Sequence, residues 1–182
     1  SIVAWNWNFD DGNTGSGKNT SNLYSADGFY DVMLEVVSDK DCRDTLIQTV
    51  EVHPLPQPGF VSDENCENRL IQFTDTSVIK KDSISDWYWD MGNGLLFGNQ
   101  NVNTVYDTEG TYTVKLIVTS IAGCIDSISQ DITISPNPLA DFNNPDTCLK
   151  EASKFADLST IASGSVIAWT WDFGDGDTAL SQ

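Results

Sequence analysis

The sequence predicts an all-β protein built from tandem antiparallel β-sandwiches, and three observations lead to that fold class. Apolar and polar residues alternate along short runs, and Gly, Asn and Asp residues separate the runs. No stretch of useful length shows the apolar spacing of an amphipathic helix. The third observation is an internal repeat, which must be found before domains are assigned. Short alternating strands joined by such turns are typical of a two-sheet sandwich.

The repeat has a period of 82 residues, because Trp-x-Trp pairs begin at positions 5, 87 and 169. Residues 1–100 placed over residues 83–182 without a gap share 31 identities, too many for chance in one register. The register divides the chain into five parts: the C-terminal part of repeat 1 (1–53), a Pro-rich linker (54–58), a complete repeat 2 (59–135), a second linker (136–139) and the N-terminal part of repeat 3 (140–182).

Four strands are predicted within repeat 2, at 69–74, 84–91, 111–119 and 127–134. In the second of these, Trp87, Trp89 and Met91 share one face, and Asp86, Tyr88 and Asp90 share the other. Large aromatic side chains dominate the cores of small domains. The predicted core residues are therefore Trp89, its counterparts Trp7 and Trp171, and Tyr112.

The linkers are rich in proline, at positions 54, 56 and 58 and again at 136 and 138. Proline fixes φ and removes a backbone donor, so these segments are expected to be stiff, extended joints. Stiff joints between acidic sandwiches predict an extended rod.

Composition excludes several classes of function. Nine Lys and Arg residues stand against 27 Asp and Glu, a net charge of −18, which would repel nucleic acid and anionic membranes. No stretch approaches the roughly 20 apolar residues of a membrane-spanning helix. The single histidine, His53, and the scattered carboxylates do not form an acid/base pair, so the sequence predicts a protein that is not an enzyme.

Two motifs resemble the PKD domain family. Residues 169–176, Trp-Thr-Trp-Asp-Phe-Gly-Asp-Gly, resemble its WDFGDG signature, and residues 109–118 resemble its GxYxVxLxV strand. Repeat 2 departs from the signature at Met91 and Asn93, and repeat 1 departs at Asn8 and Asp10. The resemblance implies extracellular seven-stranded sandwiches that serve as spacers and adhesion modules. The cysteine pattern is similar to repeat arrays in bacterial surface proteins of type IX secretion, of which the SprB-like gliding adhesins are an example.

The resemblance also raises calcium binding, because some PKD domains of secreted bacterial enzymes bind Ca²⁺ near the signature. Hard oxygen ligands of the kind that Ca²⁺ prefers cluster there. The candidate ligands are Asp10, Asp11, Asp90, Asp172, Asp175 and Asp177. The alternative, which we favour, is ordinary turn chemistry, since Asp-Gly pairs are typical of tight hairpins.

Cys42, Cys66, Cys124 and Cys148 follow the same 82-residue period. Without a CxxC motif or a partner histidine, they indicate disulfides and not a metal site. Cys66–Cys124 is the pairing within repeat 2, which would leave Cys42 and Cys148 with unknown partners. Two alternatives stay open: Cys42–Cys66 with Cys124–Cys148, and a bond between the first turn of one repeat and the last turn of the next.

Four Ser or Thr residues follow an aspartate and precede an apolar residue. This pattern resembles the O-glycosylation sites of the bacteria that carry such arrays. They are Thr45, Ser83, Ser127 and Thr178.

Two classes of function remain, a stiff spacer or adhesin stalk at the cell surface and a module that binds glycan or protein through loops 13–22 and 95–103. A further alternative is that the chain forms accessory PKD repeats of a secreted hydrolase. Both ends of the chain are expected to be incomplete sandwiches with open apolar faces. A window within a longer array is the favoured explanation. The alternative is that the tail strands of one copy pair with the head strands of another.

Overall fold

The computed structural model describes residues 1–63 and 65–180, and these residues form strands and turns with no helix. The predicted all-β fold class is confirmed. Fifteen strands follow one another along the chain: β1 (Ile2–Asn8), β2 (Thr14–Ser16), β3 (Gly28–Ser38), β4 (Arg43–Val52), β5 (Phe60–Ser62), β6 (Leu70–Asp75), β7 (Ile84–Asp90), β8 (Leu96–Phe97), β9 (Val102–Val105), β10 (Gly110–Ser120), β11 (Ile125–Ile134), β12 (Phe142–Asn143), β13 (Ala156–Asp157), β14 (Trp171–Asp172) and β15 (Thr178–Ala179). The four strands predicted in repeat 2 match β6, β7, β10 and β11 to within two residues at either end.

The strands form five sheets. Two have four strands, in the orders β2-β1-β3-β4 and β11-β10-β7-β8, and one has three, in the order β5-β6-β9. The other two are the hairpins β12-β13 and β14-β15. Antiparallel registers join β1 to β2 and β3, β3 to β4, β5 to β6, β6 to β9 and β7 to β8, and they also form the hairpins β12-β13 and β14-β15.

The chain divides into two compact units. The first comprises Ser1–Gly59, Thr76–Trp87 and Ile117–Ile128, and it holds the whole sheet β2-β1-β3-β4. The second comprises Phe60–Asp75, Tyr88–Leu116 and Ser129–Gln182, and it holds the sheet β5-β6-β9 and both terminal hairpins.

The core of repeat 2 is centred on Trp89, which is completely buried. The ring centroids of Phe60 and Phe73 lie 5.2 and 6.2 Å from that of Trp89, both with edge-on geometry. Edge-to-face packing at these distances stabilises aromatic clusters beyond the burial of area alone. Leu116 on β10 is also completely buried. Apolar residues of both sheets therefore meet around one tryptophan.

The other predicted core residues are only half-buried. Trp7, Trp171 and Tyr112 all retain partial exposure. Trp7 stacks on Phe9 at 6.5 Å and Trp171 stacks on Phe173 at 6.5 Å, so the local arrangement of the motif is the same in both repeats. What Trp7 lacks is a cover like the one that β5 and β6 form over Trp89. An equal local sequence thus gives unequal burial, because burial depends on the opposite sheet.

Candidate functional site

The turn at the PKD-like signature, which we call the signature turn, spans residues 8–13, 90–95 and 172–177 and has the same hydrogen bonds in all three repeats. The carboxylate or amide oxygen of Asn8, Asp90 or Asp172 accepts a bond of 2.9–3.0 Å from the backbone N–H two residues later. Three residues further on, a second side-chain oxygen accepts a bond from another backbone N–H. The donor is Asn13 for Asp11, Leu95 for Asn93 and Asp177 for Asp175. A backbone bond of 3.1–3.2 Å closes each turn. The acidic residues of the motif therefore build two successive side-chain turns.

The residue between these two turns has a positive φ in every repeat. It is Gly92 (φ 73°) in repeat 2, Gly174 (φ 79°) in repeat 3 and Asp10 (φ 62°) in repeat 1. Aspartate is among the few residues that tolerate this conformation. The Asp10 carboxylate accepts a 3.0 Å bond from the backbone N–H of Asp31 on β3. At Gly92 there is no room for a side chain, since a Cβ would lie 2.6 Å from the Thr113 carbonyl oxygen.

Several candidate calcium ligands accept hydrogen bonds from nearby amide groups. Asp11 Oδ2 accepts bonds from the side-chain amides of Asn22 (2.6 Å) and Asn13 (3.0 Å), and the Asn22 bond is the main reason that the pKa of Asp11 is lowered. Across residues 1–63 and 65–180, no three carboxylates, histidines or cysteines come together in a way that could hold a metal ion. Ca²⁺ takes six to eight oxygen ligands. Asp90 and Asp175 accept backbone N–H bonds within their own turns.

Three further hydrogen bonds anchor aromatic side chains of repeats 1 and 2. Trp89 Nε1 donates to the Asn99 carbonyl at 2.9 Å, and Trp7 Nε1 donates to the corresponding Gly17 carbonyl at 3.0 Å. The buried Tyr106 hydroxyl donates to the Met91 carbonyl at 2.9 Å. Burial raises the pKa of Tyr106 to about 12, and the nearby Tyr112 and Asp90 act in the same direction.

The predicted Cys66–Cys124 disulfide is not formed, and all four thiols are free in the structure. Cys66 pairs with Ser135, just beyond the end of β11, whereas Cys124 directly precedes the start of β11. A ten-residue strand is roughly 33 Å long, and a disulfide needs Cα atoms within about 7 Å of each other. The length of β11 therefore prevents this pairing.

The four predicted O-glycosylation residues are all exposed. At Thr45, Ser83 and Ser127, the backbone N–H donates to the preceding aspartate at 2.7–2.9 Å. Local turn geometry thus accounts for the aspartate in three of the motifs, while the hydroxyls remain accessible.

The linker 136–139 is fixed on both sides, which the sequence did not reveal. The Asn137 backbone N–H donates to the Glu67 carboxylate at 3.1 Å, and its side-chain amide donates to the Glu67 carbonyl at 2.7 Å. Two residues later, Leu139 and Thr160 exchange backbone hydrogen bonds of 2.8 and 3.0 Å. Only Pro138 lies between the two attachments, and its φ is fixed by its ring.

The first linker is attached in a related way. Gln57 and Val78 exchange backbone hydrogen bonds of 2.7 and 3.0 Å, one repeat period before the Leu139–Thr160 pair.

Next to this linker the pKa of Asp82 is lowered, mainly by the N–H of Ser83, and the charge of His53 contributes. His53 Nδ1 also lies 3.7 Å from a Glu51 carboxylate oxygen. The linker residues line a cavity of about 460 Å³.

The loops proposed for ligand binding begin as strands. Leu96 and Phe97 form β8, which pairs with β7 through Asp90 and Trp89. Leu95 and Leu96 keep about half of their surface exposed, at 47% and 54%. In repeat 1, β2 pairs with β1 in the same manner. Leu95 and Leu96 are thus exposed apolar residues within the predicted binding loop 95–103.

Comparisons with known proteins agree with the motifs. A sequence model of the PKD domain family matches residues 1–54 and 51–136. The chain is 27% identical over 134 residues to the pre-pro-metalloprotease PrtV of Vibrio cholerae, and 29% identical over 150 residues to the collagenase ColQ1 of Bacillus cereus. These alignments cover 73% and 82% of the chain but only 15% and 14% of the relatives. The resemblance to SprB-like gliding adhesins finds no support in these relatives.

Solved PKD domains are among the structural neighbours. The PKD1 domain of Vibrio anguillarum Epp matches 47% of this chain and 100% of its own, at 20% identity and a TM-score of 0.45. The PKD1 domain of Vibrio cholerae PrtV matches 46% of this chain and 98% of its own, at 25% identity and a TM-score of 0.41. Because the family model covers well over half of its residues, the chain belongs to the PKD domain family.

Proposed function

We propose that this chain is a non-catalytic repeat segment of an extracellular protein, in which PKD domains act as a stiff stalk. The observation that carries the proposal is the linker 136–139, which Glu67 holds on one side and Thr160 on the other. A flexible tether would have a solvated backbone free of such bonds. A spacer between a cell surface and a distal module needs joints of this kind.

The stalk has two settings, a cell-surface adhesin or the accessory region of a secreted hydrolase. The matches to PrtV and ColQ1, both named as proteases, support the second setting. In either setting the segment itself is a non-catalytic PKD module. Among the described residues there is also no helix long and apolar enough to cross a membrane.

Hydrogen exchange on the 182-residue chain tests the joint. The Asn137 and Leu139 amides are expected to exchange slowly, and Glu67→Ala is expected to accelerate exchange at Asn137 while leaving Leu139 protected. Asp63→Ala is the matched control, because it removes another carboxylate of repeat 2 that accepts a backbone bond, from Gln72. Fast exchange at both linker amides in the parent chain would refute a stiff joint.

A second function, binding of a cell-surface glycan or protein, is favoured by the exposed Leu95–Leu96 pair. Exposed apolar residues that adjoin each other are a common feature of contact surfaces. Glycan arrays probed with the parent chain and with a Leu95→Ser/Leu96→Ser variant test it. A signal that the double variant abolishes would support a binding role, and an array without signal would contradict glycan binding.

A further inference from the structure

The signature turn of repeat 2 differs from its counterparts in its second side-chain acceptor. Asn93 stands where repeats 1 and 3 have Asp11 and Asp175, and a glycine follows each of the three residues. Asn93–Gly94 is the one Asn–Gly pair among the 182 residues. Glycine has no Cβ, so the backbone nitrogen that follows Asn93 can approach the side-chain amide closely. The two residues can therefore react with each other if the fold leaves both groups accessible.

The Gly94 nitrogen, which would be the nucleophile, is accessible. Gly94 has a φ of 90°, and apart from its chain neighbours no heavy atom lies within 4 Å of the position that a Cβ would occupy. Within residues 1–63 and 65–180, the Gly94 N–H donates no hydrogen bond. Solvent can therefore remove its proton without breaking a bond of the fold.

The Asn93 side-chain amide, which would be the electrophile, is exposed. Its Oδ1 accepts a 3.1 Å bond from the backbone N–H of Leu95. Negative charge develops on this oxygen when a nucleophile attacks Cγ, and a fixed N–H donor stabilises such charge. In the part of the chain that the structure describes, Nδ2, the leaving group, has no hydrogen-bond partner. The turn thus polarises the amide carbonyl and leaves the amine free to depart.

The turn also restricts the backbone around the pair. The Met91 N–H donates to the Leu95 carbonyl at 3.1 Å, and the Gly92 N–H donates to an Asp90 carboxylate oxygen at 3.0 Å. Asn93 and Gly94 lie inside the loop that the first of these bonds closes. Groups held in this way lose less entropy on ring closure than the same groups in an open chain.

The aspartates at the same position are much poorer electrophiles. An aspartate is ionised at neutral pH, and its carboxylate would have to lose an oxide ion. Asp11 Oδ2 also accepts bonds from the side-chain amides of Asn13 and Asn22, at 3.0 and 2.6 Å. The turns of repeats 1 and 3 are therefore expected to stay unmodified, and they serve as internal comparisons.

We propose that Asn93 is a site of self-modification, at which the Gly94 nitrogen displaces the side-chain amide. Solvent removes the Gly94 proton, the nitrogen bonds to Asn93 Cγ, and the Cγ–Nδ2 bond breaks as the amine takes up a proton and leaves as ammonia. The product is a cyclic imide. Water then opens the ring at either carbonyl, so that one ammonia is released for each water consumed and nothing is oxidised or reduced.

The two ways of opening the ring give different products. Opening at the side-chain carbonyl leaves an aspartate, which fits the turn because Asp11 and Asp175 accept the equivalent bond at 2.9 and 3.0 Å. Opening at the main-chain carbonyl leaves an isoaspartate, which puts an extra carbon into the backbone between Met91 and Leu95. The first product is expected to keep the turn, and the second is expected to break its closing bond.

Ageing of the 182-residue chain in mildly alkaline buffer, followed by peptide mapping with mass spectrometry, tests the modification. The peptide that contains Asn93 is expected to gain the mass difference between NH and O and to separate into aspartate and isoaspartate forms. Asn101 is the matched control, because it is exposed and accepts a 2.9 Å bond from the Asp75 N–H, but the β-branched Val102 follows it. The amide is expected to be lost at least about tenfold faster at Asn93, well within the hundredfold or more that one fixed oxyanion donor contributes in enzymes. Equal rates at the two asparagines would overturn the proposal.

A sample unfolded in urea separates the contribution of the fold from that of the sequence. Unfolding removes the Leu95 bond to Oδ1 but keeps the Asn–Gly pair. We expect the folded chain to lose the Asn93 amide at least as fast as the unfolded chain. Slower loss in the folded chain would overturn the proposal, because the fold would then hinder ring closure.

An Asn93→Ser variant tests the assignment to this side chain. Serine keeps an oxygen that can accept a backbone bond but has no amide to lose, so its peptide is expected to keep its mass on ageing. A mass gain in that peptide of the variant would place the reaction at another residue and overturn the assignment.

Thermal unfolding tests the two products. Asn93→Asp supplies the aspartate product directly, and its melting temperature is expected to equal that of the parent chain. The isoaspartate form, isolated by chromatography from the aged sample, is expected to melt at a lower temperature, because it loses the bond between Met91 and Leu95. An isoaspartate form that melts with the parent chain would overturn the proposed break in the turn.

Discussion

Replacing Trp89 by Ala is expected to remove most of the stability of repeat 2. The side chain is completely buried, contacts the rings of Phe60 and Phe73, and donates a hydrogen bond to the Asn99 carbonyl. Truncating a large buried aromatic costs about 3–5 kcal/mol, against a typical domain stability of about 5–15 kcal/mol. For a domain of this size each kcal/mol lowers the melting temperature by about 4–8 °C, so a fall of roughly 12–40 °C is expected.

Trp7→Ala is the matched control for this experiment. Trp7 makes the equivalent hydrogen bond to Gly17, but it is only half-buried. Its loss is therefore expected to cost clearly less, because less apolar surface returns to water. Thermal unfolding of the full chain followed by circular dichroism, with hydrogen exchange on β6 and β7 to identify the transition of repeat 2, measures both changes. If Trp89→Ala melts within a few degrees of the parent, or if both variants lose equal stability, the assignment of the core is wrong.

Three further predictions concern the turns and the core. Millimolar CaCl₂ is expected to raise the melting temperature no more than NaCl of equal ionic strength, because both salts only screen charge; a larger rise with calcium would show binding to the folded state. Gly92→Ala is expected to destabilise repeat 2 more than Gly94→Ala in urea titrations, since both have positive φ but only at Gly92 would a Cβ meet the backbone of Thr113; equal losses would contradict the close contact. The free energy of unfolding is expected to fall as pH rises above about 10, because tyrosine ionises there in the unfolded chain while Tyr106 in the folded chain has a pKa of about 12. Tyr106→Phe should lessen this fall. An unchanged pH profile in that variant would contradict the raised pKa of Tyr106.

Much of the fold could be predicted from the sequence because the local patterns are strong. The alternation around Trp89 identified β7 and its inward face, and the repeat period located the equivalent positions in the other repeats. Half-burial of Trp7 was not predicted for the residue itself, because burial depends on a partner sheet and not on the local motif. The hydrogen bonds of the turn aspartates follow from local Asp-Gly chemistry, which a sequence pattern can show.

The features that were missed depend on contacts between residues distant in sequence. Glu67 and Asn137 are 70 positions apart, and no sequence pattern around either residue predicts the hydrogen bonds between them. The Cys66–Cys124 pairing was wrong because recurrence in sequence does not report distance, and both residues flank the two ends of one long strand. The prolines of the linkers indicated stiffness, but the hydrogen bonds that supply it could be found only in the structure.

The stiffness of the joint between repeats 2 and 3 is measured most directly by double electron–electron resonance, which gives the distribution of distances between two spin labels. Spin labels at Lys115→Cys on β10 and Thr178→Cys on β15, both exposed positions, report on it in a background without the native cysteines. The spacer account predicts one narrow distance peak in the parent chain and a broad distribution after Glu67→Ala combined with Pro138→Gly. A broad distribution in the parent chain, or a width that the double substitution leaves unchanged, would contradict a stalk with a fixed joint.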